Sequence, residues 1–162
     1  IPASRNEFIN NEISDVQERF RARALEHVDY GIKEAKEKIL LRMYAGEEGK
    51  FPRAFKKFIA DNRYWIDDFA LFKALKSYHG GGPWYEWKDK YKDRDSEGVR
   101  VFEKERNEEI LFHQWVQWIA ASQFEEAKAY AGSKGILIKG DLPILTSRDS
   151  ADVWAHRELF RL

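Results

Sequence analysis

Carboxylates stand out at three places in this chain as groups that could do chemistry. Asp141 follows Gly140 directly after the apolar run Ile136-Leu137-Ile138. A carboxylate at the end of a buried segment has to be hydrogen-bonded or paired, so Asp141 is a candidate for contact with a polar ligand as much as for a structural bond. Asp67 and Asp68 are adjacent, but neighbours on a helix point in different directions and do not form a catalytic pair. A surface or capping role suits them better. Asp149 and Asp152 flank Ser150-Ala151 at a helix start, where exposed backbone N–H groups favour carboxylates. The four histidines, His27, His79, His113 and His156, are too scattered for a metal-ligand set. His113 lies beside Trp115 and Gln117 and reads as structural. Trp84-Tyr85-Glu86-Trp87 puts three aromatics in four residues after a glycine run. They either plug the end of a helical core or form a lip that stacks on sugar rings.

Several chemistries are missing. Gly80-Gly81-Gly82 ends in Pro83 and lacks the Lys-Ser/Thr of a phosphate loop, and there is no dinucleotide fingerprint. There is no Gly-x-Ser-x-Gly elbow. With no cysteine, disulfide scaffolds and cysteine-based zinc sites are excluded, which is compatible with a cytoplasmic location. The 28 basic and 28 acidic residues balance, giving no argument for nucleic acid or an anionic membrane surface. No apolar run approaches the roughly 20 residues of a membrane span. The 162 residues can build a proper core, and the opening Ile1-Pro2 in place of Met suggests a fragment.

The elements that must position these groups are mostly helical. Ser4 and Glu7 match a capping box, and Ile9, Ile13, Val16, Phe20 and Ala24 recur at helical spacing. Asn10-Asn11 and Ser14-Asp15 leave open whether this is one helix or two. Asp29 can cap the next helix, which Gly46-Glu47-Glu48-Gly49 ends. Pro52 suits the first position of a third helix, and Asp61-Asn62 predicts a break before a fourth, running through Trp65, Ile66, Phe69, Phe72 and Leu75. His79-Gly80-Gly81-Gly82-Pro83 closes it. Lys88 to Arg94 alternates in charge and reads as a solvated connection. Ser96 caps a long apolar pattern to Ala131, one bent helix or two, with Gly132 as C-cap. Ile136, Leu137 and Ile138 then predict a short strand buried on both faces, as in a parallel sheet, with pairing stopped near Pro143. Side chains at such a strand end point into the active site of a (β/α) barrel, which makes Asp141 worth attention. Asp149 or Ser150 starts a short last helix.

The order of these segments resembles a known family. Gly140-Asp141-Leu142-Pro143-Ile144, followed by Asp149-Ser150-Ala151-Asp152-Val153-Trp154, is similar to a Gly-Asp-Met/Leu-Pro-Ile … Asp-Ser-Ala-Asp/Glu-Val-Trp segment of the 4-α-glucanotransferases (amylomaltases or disproportionating enzymes, glycoside hydrolase family 77). Phe58 to Lys76, with Asn62, Trp65, Asp68 and Ala70-Leu71-Phe72, resembles the family's Phe-x-x-Glu-Asn-x-x-Trp-Leu-x-Asp-Tyr-Ala-Leu-Phe segment. Trp84 and Trp87 match its Trp-x-x-Trp, Phe112 to Trp118 its Phe-x-x-Phe/Trp-x-Gln-Trp helix, and Val28-Asp29-Tyr30 its Val-Asp-Tyr.

The resemblance implies a mainly α fold: a helical insertion subdomain over residues 1–132, then residues 133–162 supplying one short strand of a (β/α)8 TIM barrel with its following loop and helix. It implies transfer of α-1,4-glucan segments between maltooligosaccharides or starch-like glucans by a retaining double displacement, without a cofactor. The family's nucleophile, acid/base and third-acid motifs are not present here, so the implied parent enzyme keeps its catalytic carboxylates elsewhere, and the segment alone is expected to be inactive. Asp141, Ser150, Trp84 and Trp87 are the implied substrate contacts, and the rest of the barrel is the implied partner. A different reading is a non-catalytic helical module that binds glucan or protein through Trp84, Tyr85 and Trp87.

Overall fold

The structure, a computed structural model, describes residues 7–21, 29–46, 51–141 and 144–162. Two compact units divide the chain at Pro52 and Arg53.

The first unit holds α1 (Glu7–Arg21) and α2 (Gly31–Ala45). α1 runs unbroken through Asn10-Asn11 and Ser14-Asp15, with the Ser14 hydroxyl donating to the Asn10 carbonyl at 3.1 Å. That bond satisfies the polar side chain within the helix, so it need not break the turn. Ile9, Phe20 and Ile39 are buried, and Arg42 pairs with Glu12 across the two helices. The Asp29 carboxylate accepts from the Gly31 N–H at 2.9 Å and caps α2. The end of α2 is closed by the Gly46 N–H, which donates to the carbonyls of Arg42 and Met43. Ser4, Val28, His27 and Glu47 to Gly49 lie outside the described residues.

The second unit is built on α3 (Arg53–Tyr78) and α6 (Asn107–Ser133), which pack against each other. α3 corrects the expected break at Asp61-Asn62: it is one helix of 26 residues. Asp61 takes the Lys57 ammonium at 2.5 Å. Asn62 donates to the Phe58 carbonyl at 2.8 Å and accepts the Trp65 indole N–H at 3.1 Å. Both side chains are therefore satisfied one turn away and do not compete with the helix. α3 ends where Gly80 and Gly81 take φ of 64° and 82°. The Gly81 N–H then reaches back to the Lys76 carbonyl at 2.8 Å, the closure that left-handed glycines permit.

After a 3₁₀ turn at Trp84–Glu86 come α4 (Asp89–Lys92) and α5 (Glu97–Glu105). Ser96 accepts from the Val99 N–H at 3.2 Å and caps α5, and Arg106 separates α5 from α6. The charged stretch 88–94 is more than a solvated connection, because Tyr91 is buried and Arg94 binds Asp68 at 2.6 Å. α6 runs past Gly132 to Ser133, and the left-handed residue is Gly135 at φ 73°. α7 (Ala151–Ala155) and a 3₁₀ turn at Arg157–Leu159 complete the unit. The core joins Leu71, Phe72 and Leu75 of α3 to Trp84, Trp87, Val99 and Phe102, and to Val153 and Trp154 of α7.

The fold is mainly α, and no strand forms among the described residues. Ile136, Leu137 and Ile138, where a strand is expected, form none in this structure. They are 61 %, 94 % and 47 % exposed. A buried strand needs neighbours on both edges and a layer on each face, and the described residues provide neither.

Candidate functional site

Residues 148–157 carry Asp149 and Ser150, and they are held by the end of α3 and the 3₁₀ turn at Trp84–Glu86. Asp149 is the central fastener. Its carboxylate pairs with Lys76 near the end of α3 and accepts the Trp84 backbone N–H at 3.3 Å. The Trp84 indole N–H donates to the Arg148 carbonyl at 2.7 Å. The Arg157 guanidinium lies 4.4 Å from the Trp84 ring centre, and that of Arg148 lies 4.4 Å from the Tyr85 ring. Beyond these, the Trp154 indole N–H reaches the Tyr91 carbonyl at 3.0 Å. Asp149 thus holds a loop in place instead of acting as a free acid.

Ser150 is the N-cap of α7: its hydroxyl accepts from the Val153 N–H at 3.3 Å. A serine hydroxyl used this way still has its proton to donate. Ser150→Ala is expected to lower the unfolding free energy of the second unit by about 1 kcal/mol. Urea titration of the two proteins checks this, and identical midpoints would show that the cap contributes nothing.

Asp141 sits on the exposed irregular segment that follows α6. Leu142 and Pro143 lie outside the described residues, so the structure does not connect Asp141 through them to Ser150.

Trp84 and Trp87 are core residues, 4 % and 3 % exposed. Trp87 donates its indole N–H to the Gly82 carbonyl at 2.9 Å. Its ring stacks on His79 at 4.9 Å with 10° between planes, and meets Phe72 at 5.5 Å and Trp154 at 6.2 Å. Neither ring presents a face to a sugar. Tyr85, 36 % exposed, is the aromatic of this turn that reaches the surface, beside Arg148.

Asp67 and Asp68 face different partners, as adjacent helical residues must. Asp67 accepts from Gln114 Nε2 of α6 at 3.0 Å and from Arg63 at 3.4 Å. Asp68 accepts from Arg94 at 2.6 Å, and the His156 ring lies 3.8 Å away. They tie helices together and do not cap them. His113 is 8 % exposed on α6, and burial lowers its pKa from 6.5 to about 4, with the Lys73 charge adding to the effect. Among the described residues no three His, Cys, Asp or Glu side chains gather to hold a metal ion, and no helix is long and apolar enough to cross a membrane.

The linear sequence pointed to Asp149 and Ser150 but gave no sign of Lys76, Arg148 and Arg157. Lys76 is 73 positions from Asp149, and a lysine near a helix end has no distinctive spacing.

The chain has known relatives. A family model described as 4-alpha-glucanotransferase matches residues 5–162. This chain belongs to the 4-alpha-glucanotransferase family. Family relatives include 4-alpha-glucanotransferases of Thermus thermophilus, 42% identical over 67% of this chain and 22% of the relative, and of Clostridium butyricum, 36% identical over 85% of this chain and 28% of the relative. That of Streptococcus pneumoniae is 30% identical over 98% of this chain and 34% of its own length. Among solved structures, an amylomaltase from Streptococcus agalactiae in complex with acarbose superposes with a TM-score of 0.75 at 30% identity. The match covers 95% of this chain and 33% of that one. The chain therefore spans a fifth to a third of the length of the family members it matches.

Proposed function

We propose that this chain is the helical part of a 4-α-glucanotransferase that moves α-1,4-glucan segments between maltooligosaccharides or starch-like glucans. The observation that carries this reading is the family match across residues 5–162. The reaction would be a retaining double displacement. One carboxylate attacks the anomeric carbon as the donor chain leaves. A second carboxylic acid protonates the leaving oxygen and then removes the proton of the acceptor hydroxyl. In this reading both groups lie on parts of the parent barrel beyond residues 1–162. Residues 1–132 are its helical subdomain. Residues 133–162 bring one strand, its loop and a short helix, and the parent works in the cytoplasm without a cofactor.

Each local feature has a part in this proposal. Ile136, Leu137 and Ile138, exposed here, become a strand once neighbours supply pairing on both edges. Asp141 then stands at the strand end and accepts hydrogen bonds from sugar hydroxyls. Ser150 donates its hydroxyl proton to a sugar oxygen while its lone pair caps α7. Trp84 and Trp87 act from the core, by setting the height of the loop that carries Asp149 and Ser150. A stand-alone glucan-binding module would need their ring faces, which are covered.

The purified 162-residue chain is expected to release no glucose from maltotriose. A longer protein containing it is expected to release glucose and build longer maltooligosaccharides. Glucose release by the short chain would overturn the placement of the carboxylates. Failure of the longer protein to lengthen any acceptor would overturn the transferase reading.

A further inference from the structure

A second place in the chain, away from the loop that Asp149 fastens, has the chemistry of a small-molecule site, and the Asp67–Gln114 and Asp67–Arg63 bonds lie in its wall. A groove of about 370 Å³ runs between the first half of α3, the end of α5 and the start of α6. This volume falls in the range of small-molecule sites, roughly 300–1,000 Å³. Its polar wall comprises Lys56, Arg63, Asp67, Glu103, Asn107 and Gln114. The apolar floor is Ile59, Ala60, Ile110 and Leu111.

Three properties define what would fit. First, the lining carries two cations and two carboxylates, so it cancels in charge and favours neither an anion nor a cation. Second, apart from the Lys56 ammonium its polar groups are planar amide, carboxylate and guanidinium forks, which can meet two adjacent hydroxyls of one ligand at once. Third, the forks of Asp67, Gln114 and Arg63 are already set by one another. Gln114, only 7 % exposed, gives one donor to Asp67 at 3.0 Å, and Arg63 holds the other Asp67 oxygen at 3.4 Å. The amide oxygen of Gln114 is a further acceptor of this lining residue. The apolar floor, with Ile110 buried and Leu111 partly so, can take the C–H face of a pyranose.

We infer that this α3–α6 groove binds a neutral gluco-oligosaccharide through the Asp67–Gln114 pair, Arg63, Asn107 and Glu103. The choice of a glucose-based ligand rests on the proposed function, whereas the neutral, hydroxyl-rich character follows from the groove.

Amide NMR titration of the 162-residue chain tests this with maltotriose and, separately, with inorganic phosphate. Maltotriose is expected to shift the amides of residues 59–67 and 110–114 with a Kd on the order of 1 mM, and phosphate to leave them still. Asn107→Leu and Glu103→Leu, both at exposed positions, are each expected to raise that Kd about tenfold while the rest of the spectrum is preserved. An absence of groove shifts overturns the inference, as do shifts that both variants leave unchanged or that phosphate reproduces. Such failures leave the transferase reading standing, because glucan lengthening by the longer protein is measured independently. Failure of that assay with groove binding intact would remove the transferase reading alone.

Discussion

Trp154→Ala is expected to lower the unfolding free energy of the second unit by about 3–5 kcal/mol. Trp154 is 1 % exposed and is shared by α7 and the core of α3. Its ring lies 5.9 Å from Phe72 and 6.2 Å from Trp87, so truncation leaves a cavity among rigid aromatics that cannot collapse into it. The indole N–H also satisfies the Tyr91 carbonyl, which lies in the last turn of α4 and has no helical partner of its own. Since small domains are stable by about 5–15 kcal/mol, the loss is a large share of the total. Urea unfolding monitored by circular dichroism measures it. Trp154→Phe keeps most of the packing and is expected to cost less than half as much. Tyr64→Ala, at a site 82 % exposed, is expected to change stability by under about 0.5 kcal/mol. A Trp154→Ala loss as small as that of Tyr64→Ala would mean that α7 is not part of the core.

The second large effect is on pH. His113 has a pKa of about 4 in the folded chain against 6.5 when unperturbed, because burial disfavours its charged form. Between those values the unfolded chain binds a proton that the native chain does not. The contribution of His113 is therefore complete above pH 6.5 and is lost as the pH falls towards 4. The loss reaches about 3 kcal/mol at the low end, and about 2 kcal/mol near pH 5. His113→Leu keeps an apolar side chain at the position and has no proton to bind. The difference in stability between the wild type and this variant is expected to shift by that amount as the pH falls, in favour of the variant. Denaturant titrations at a series of pH values check it. A difference independent of pH would show that His113 is solvated or paired in the folded state.

The sequence was most informative where a single local interaction decides the structure. Asp29, Ser96 and Ser150 cap helices because a short acceptor side chain next to unpaired N–H groups has one good option. Gly80 and Gly81 end α3 because an L side chain rarely adopts their φ. The family, too, could be read from the order of short segments spread along the chain, and the match over residues 5–162 agrees.

Local reading failed where a polar side chain had two equally local options. Asn62 and Asp61 could break α3 or bond within it. Trp65 and Lys57, one turn away, gave them partners, and the helix continued. The last turn of α6 likewise ran on past Gly132, because a glycine in a helix is permitted and Gly135 could close it.

The candidate site was legible only in part. Asp149 and Ser150 could be identified as a helix start, and Trp84 and Trp87 as either core or ligand surface. Which of those roles each holds depends on neighbours far away in the chain: Lys76, Arg148 and Arg157 around the loop, and His79 and Phe72 around Trp87. By itself, then, the sequence determined the helical character, the caps and the family of this protein. Only the tertiary structure decided that the two tryptophans are buried, that Asp149 fastens a loop, and that residues 136–138 stay exposed. Caps and glycine turns depend on groups within one turn of each other, whereas burial and strand pairing depend on surfaces brought together from distant parts of a chain.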